Sequence, residues 1–130
     1  MNTKYEVRVA ETASDRQACF RLRYDVYVAE LGRNTEVADH DRRELSDSED
    51  AEAIVVGVFS EGVAVATARI SLADASSAFV RKYGLQGNLS VADRVAIVSR
   101  LMISPTLRGT GVFKLLVTHL FQIGARVGVS

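Results

Sequence analysis

Ser104-Pro105-Thr106-Leu107-Arg108-Gly109-Thr110-Gly111-Val112-Phe113-Lys114-Leu115-Leu116 is the stretch that decides the fold. It joins a strand-like run, Val95 to Ser104, to the clearest helical pattern in the chain. Pro105 has no backbone N–H and cannot extend a strand ladder. Gly109 and Gly111 lack a Cβ, so the backbone can turn sharply there and approach a ligand. From Val112 onward, Val112, Leu115, Leu116, Leu120 and Ile123 recur at helical spacing, with His119 on the same stripe. A strand, a glycine turn and a helix start therefore meet within a dozen residues. The first N–H groups of a helix lack internal partners and carry a partial positive charge, which suits phosphate. Arg108 adds a full charge and a fork of donors at the same mouth.

The 130 residues fit one domain, residues 1–130, with nearly half of them apolar. No apolar run approaches the ~20 residues of a membrane helix, and the N-terminus lacks the basic-then-apolar order of a signal peptide. One cysteine, Cys19, excludes an internal disulfide and fits a reducing cytoplasm. Its neighbours Phe20, Leu22 and Val26 mark it as core packing. Net charge is zero but unevenly spread: residues 1–52 hold 13 acids and 8 bases, residues 53–130 hold 3 acids and 8 bases. The second part suits a polyanionic ligand. Its bases are scattered without interleaved aromatics, so no nucleic-acid surface is expected.

Outward from the loop, Lys4 to Ala10 alternates and reads as an opening strand, with Tyr5, Val7 and Val9 on one face. Ser14 with Gln17 resembles a capping box, predicting a helix through Val28 that stops at Gly32. That spacing puts Arg23 on the apolar face with Cys19, Val26 and Tyr27, where it either snorkels to water or serves a binding site. The connector from Glu36 to Glu52 is rich in acids and reads as a solvated loop. His40 lies between Asp39 and Asp41 without a second nearby His or Cys, so no metal is expected. Ala53–Ser60 and Val63–Leu72 form a hairpin around Glu61-Gly62. Ala75 to Tyr83 reads as a short helix, Gly87-Asn88 as a turn, Val91 to Ser104 as a long strand, and Val127-Gly128-Val129 as the start of another. The order strand, helix, hairpin, helix, strand, helix, strand is an α/β (α+β) pattern built on a mixed sheet.

The turn Arg108-Gly109-Thr110-Gly111-Val112-Phe113 resembles the pyrophosphate loop of the GNAT acyltransferase superfamily, Arg/Gln-x-x-Gly-x-Gly/Ala, with Phe113 in place of the usual small sixth residue. The element order resembles the N-terminal two-thirds of that fold, a mixed, mostly antiparallel central sheet flanked by helices. The resemblance implies that the last strands and helix of that fold are missing from this chain or supplied by another. It also implies an exposed sheet edge, met by a homodimer or a companion domain.

Three further segments narrow the likeness. Arg23-Tyr24-Asp25-Val26-Tyr27 resembles an N-terminal segment of acyl-homoserine lactone synthases and N-acyl amino acid synthases. Asp39, Asp41 and Asp47 loosely resemble their acidic motif. Val98-Ser99-Arg100-Leu101 resembles their Glu-x-Ser-Arg segment, with Ile97 at the position of the glutamate, and Arg69 matches an arginine on their third strand. The implied activity is N-acyl transfer from acyl-CoA, or an acyl-carrier protein, to the amine of a small molecule such as an amino acid. Arg108, Gly109, Thr110, Gly111, Val112 and Phe113 would hold the donor's pyrophosphate. The backbone of Leu101, Met102 and Ile103 would face its thioester. Arg23, Tyr27, Arg69 and Arg100 would bind the acceptor or a carrier phosphate. Ser99, Asp93 or an acid of the connector would handle the proton. Two other readings stand beside this one. The first is a catalytically silent GNAT-like module that binds acyl-CoA or a partner. The second is a nucleotide-phosphate domain using Lys114, although the loop lacks Gly-x-x-x-x-Gly-Lys-Ser/Thr.

Overall fold

Four antiparallel strands lie side by side in chain order in a computed structural model of the protein, which describes residues 5–74 and 94–126. They are β1 (Glu6–Val9), β2 (Ile54–Ser60), β3 (Val63–Asp74) and β4 (Arg94–Ile103). Helix α1 (Ala13–Arg23) follows β1, and helix α2 (Val112–Arg126) follows β4. All three pairings among the described residues are antiparallel. The expected helix over 75–83, the turn at 87–88, residues 91–93 of the long strand and the strand at 127–129 lie outside the described residues.

Alternation on β2 and β3 gives the sheet two apolar faces. One packs Val55, Phe59, Ala64 and Met102 against Cys19, Leu22 and Val26 of the first helical stretch. The other packs Val56, Val58, Ala66, Ala68 and Ile70 against Val112, Leu116 and Ile123 of α2. Leu115, expected on that same stripe, is exposed instead. The hairpin turns where expected: Glu61 and Gly62 hold φ of +52° and +81°, the left-handed pair that a two-residue turn requires.

Helix α1 begins earlier than the Ser14–Gln17 pattern predicts. The Thr12 side chain accepts the Asp15 backbone N–H at 3.0 Å, and Ser14 sits inside the first turn. A hydroxyl with extended φ/ψ ahead of a free N–H wins the cap. The helix then widens into a π-helical segment, Tyr24–Glu30, before Gly32 at φ +65° ends the run. Part of the acidic connector is not a solvated loop. Ser48–Ala51 forms a 3₁₀ turn whose Asp47 and Asp50 cap each other's backbone, and Asp50 is buried.

Candidate active site

The glycine turn after β4 has the geometry its sequence implies. Pro105–Leu107 makes one 3₁₀ turn, and Thr110 N–H donates back to the Leu107 carbonyl at 3.2 Å. Gly109 holds φ +85°, and a Cβ at Gly109 or Gly111 would meet nothing within 4 Å, so the turn has room for an anion. The first helical bond of α2 runs from Leu115 N–H to the Gly111 carbonyl at 3.2 Å. The N–H groups of Val112, Phe113 and Lys114 precede it, as at any helix start. Phe113, at the sixth motif position, points outward and half of it is exposed. Arg108 does not reach over the turn. Its Nε donates to the Ile103 carbonyl at 3.1 Å, and its Nη1 and Nη2 donate to both carboxylate oxygens of Glu30 at 3.1 and 2.7 Å. The hydrogen bond that Arg108 donates to Glu30 outweighs desolvation and raises the Arg108 pKa further.

On the opposite sheet face, the arginines predicted from sequence come together, but with acids between them. Arg69 donates to Ser99 Oγ at 3.1 Å, to Asp47 at 2.7 Å and to Glu49 at 3.2 Å. Arg100 donates to the other oxygen of Asp47 at 3.0 Å and lies over the Tyr27 ring, 5.6 Å from its centroid. Arg23 is fully buried and forked onto Asp50 at 2.8 and 2.9 Å. It therefore does not snorkel to water, and its charge is answered inside the protein. Burial alone would push the Asp47 carboxyl up. The hydrogen bonds and charges of Arg69 and Arg100 outweigh that and hold its pKa at about 2. Asp50 is likewise lowered, with the Arg23 fork overcoming its desolvation. Carboxylates held this acidic are poor bases at neutral pH and serve to fix the arginines.

Between Thr67 and Arg69 the β3–β4 register slips: Thr67 faces Met102, whereas Arg69 faces Ser99. Arg100 and Leu101 thus stand opposite Ala68 alone, a β-bulge, and Arg100 takes φ +53°. A bulge takes backbone groups out of the ladder and re-aims side chains. Here it sends Arg100 toward Asp47 and Tyr27. Leu101 enters an apolar groove of about 540 Å³ that it shares with Val98, Val117, Leu120, Phe121 and Gly124. The Met102 side chain is buried in the core on the α1 side, and the Ile103 carbonyl accepts from Arg108. At the bulge the backbone of Arg100 and Leu101 departs from the regular ladder. Asp93 lies outside the described residues. Among the described residues no group of three metal-ligating side chains occurs, and His40 bonds the Tyr24 hydroxyl and the Thr35 carbonyl, each at 2.7 Å.

A glycine turn ahead of a helix, a bulged strand leading into it, and a paired-arginine cluster on the bulge's other side make up the candidate site. The family model for N-acyl amino acid synthase FeeM matches residues 18–130. The chain belongs to the FeeM family. It is an acyltransferase with a GNAT fold. The solved structure of FeeM, an N-acyl amino acid synthase from uncultured soil microbes, aligns with TM-score 0.67 at 16% identity, covering 98% of this chain and 68% of that one. A CoA-dependent acyl-homoserine lactone synthase, BjaI, solved with SAM and isopentyl-CoA, aligns with TM-score 0.68 at 16% identity over 99% of this chain and 64% of that one. A predicted acetyltransferase from Clostridium acetobutylicum, solved with acetyl-CoA, gives 0.64 at 16% identity, over 98% and 77% respectively. A comparison with curated proteins finds no match. At such identities the solved structures speak for the fold; the family assignment speaks for N-acyl transfer. No helix among the described residues is long and apolar enough to cross a membrane.

Sequence reasoning missed Glu30, Glu49 and Asp50, and it spread the acidic motif over Asp39, Asp41 and Asp47. The acids that reach the arginines are Asp47, Glu49 and Asp50. Asp47-Ser48-Glu49-Asp50 carried the signal, a cap residue with an acid three positions on. Asp39 instead caps its own loop, accepting the Arg42 N–H at 3.0 Å.

Proposed function

We propose that the chain moves an acyl group from an acyl-CoA or acyl-carrier-protein thioester to the amine of a small acceptor such as an amino acid. The observation that carries this reading is the bulge at Arg100 and Leu101, which places an apolar groove and a paired-arginine cluster on either side of unladdered backbone. The groove suits the acyl chain. The first N–H groups of α2 suit the donor's phosphates. Arg100, anchored by Asp47 and stacked on Tyr27, suits the acceptor's carboxylate. Arg69 holds Asp47, which holds Arg100, and Arg23 holds Asp50, which accepts the Asp47 N–H, so both position rather than bind.

The chemistry asks little of the protein. The neutral amine adds to the thioester carbonyl, the oxyanion gathers against backbone N–H at the bulge, and the C–S bond breaks. Ser99 Oγ accepts the Arg69 N–H, which suits its hydroxyl to donate a hydrogen bond to the departing thiolate, whose proton comes from water. With Ile97 at the position of the usual glutamate, the ammonium proton goes to water. Such thioesters belong to the cytoplasm, where Cys19, buried with its pKa raised by desolvation, stays a thiol.

Calorimetric titration with CoA and long-chain acyl-CoA, followed by thiol release with a panel of amino acids, tests the reading. Micromolar binding and amine-dependent release support it. Binding without release in any amine would remove the transfer reaction, and thiol release from carrier-protein thioesters alone would assign that donor.

A further inference from the structure

Arg108 marks the turn as a phosphate site in sequence, yet in the structure each of its three donor nitrogens already has a partner. Glu30 supplies two of them, although it lies 78 residues away and belongs to the π-helical segment after α1. A carboxylate forked onto a guanidinium uses the same geometry and charge that a phosphate would use. A diphosphate can therefore engage Arg108 only by displacing Glu30 or by accepting its repulsion.

We propose that Glu30 is a donor-selecting residue, competing with the donor's diphosphate for Arg108 and so lowering the advantage of nucleotide-bearing thioesters over pantetheine thioesters that lack the diphosphate. This rests on the donor reading given above. The pair is part-exposed, with 46% and 29% of the two side chains accessible, so the competition is reversible and modest rather than a block. The neighbouring N–H groups of α2 face no such competitor from Glu30. Glu30 thus acts on the share of donor affinity that flows through Arg108.

The test compares decanoyl-CoA with S-decanoyl-pantetheine, which carry the same acyl chain, by calorimetry on the wild type, Glu30→Gln, Arg108→Ala and the double variant. Glu30→Gln should bind decanoyl-CoA about fivefold more tightly, the scale of an exposed ion pair, and leave decanoyl-pantetheine unchanged. Arg108→Ala should cost more decanoyl-CoA affinity in the Glu30→Gln background than in the wild type, because there the arginine serves the diphosphate alone. Equal decanoyl-CoA affinity in wild type and Glu30→Gln, or equal tightening for both thioesters, overturns the selecting role while the donor reading survives. Additive effects of the two substitutions also overturn it, reducing Glu30 to a bystander charge. If neither thioester binds any of the four proteins, the donor reading fails and Glu30's role falls with it.

Discussion

Asp50 is asked to do three things at once. It answers the fully buried Arg23, caps the Asp47 N–H at 2.8 Å, and lies 3.4 Å from Arg69. Removing it leaves Arg23 charged in the interior with no opposite charge and only the Leu45 carbonyl at 3.4 Å, so Asp50→Ala should lose about 3–5 kcal/mol in denaturant unfolding. Exchanging both partners for apolar residues, Arg23→Met with Asp50→Leu, should recover part of that loss, because no buried charge is then stranded. Asp47 makes a different claim, on pH. Its folded pKa of about 2 lies below the ~3.9 of an unfolded aspartate, so its contribution is complete above about pH 4. It is lost as pH falls toward 2, since the unfolded chain then binds more protons. Wild-type unfolding free energy should therefore drop across that window more steeply than that of Asp47→Asn, which has no proton to gain at that site. The sequence showed one half of these pairs. A helical period exposed Arg23 as a misfit on an apolar face, but nothing in it says that the answer sits 27 residues away in a loop that reads as solvated.

At the scale of elements, how closely α1 lies on the sheet is set by one missing atom group. A Cβ built at Gly57 in β2 would stand 2.7 Å from the Phe59 ring and 2.9 Å from Cys19 Sγ. Gly57→Ala therefore pushes apart the strand and the helix that carries Arg23. A cost of about 1–3 kcal/mol is expected from such overpacking, read as a lowered denaturation midpoint with an unchanged slope. Strand-interior glycine usually marks close approach of another element, and here that element is α1. The hairpin, both helices and the glycine turn were legible because turn residues and apolar periods announce them. The bulge in β4 was not. Val95 to Ile103 is apolar except at the adjacent Ser99 and Arg100, so no alternation fixes its register, and only pairing with β3 shows that Ser99 and Met102 share a face.

Taken as a whole, the described molecule separates two chemistries by the thickness of one sheet. Charge is gathered on the α1 side, where Asp47, Asp50, Arg69 and Arg100 interlock. Apolar surface is gathered on the α2 side beside β4, where Val98, Leu101 and Phe121 stay exposed around the groove. The bulge is the place where a molecule could touch both, its chain in the groove and its reacting carbonyl at the strand. If the groove holds the donor's acyl chain, narrowing it should act on chain length and leave the headgroup alone. Gly124 in α2 lines the groove and is a costly residue inside a helix, so Gly124→Leu should fold at least as well as the wild type. The new side chain occupies space worth several methylenes, each contributing about 0.8 kcal/mol when buried. Affinity for a long-chain acyl-CoA should then fall by roughly tenfold or more, while affinity for CoA and acetyl-CoA stays within about twofold. Parallel loss for all three would mean the helix had moved and the glycine turn with it. Unchanged binding of the long chain would place the acyl group elsewhere and leave the groove without a role in the donor site.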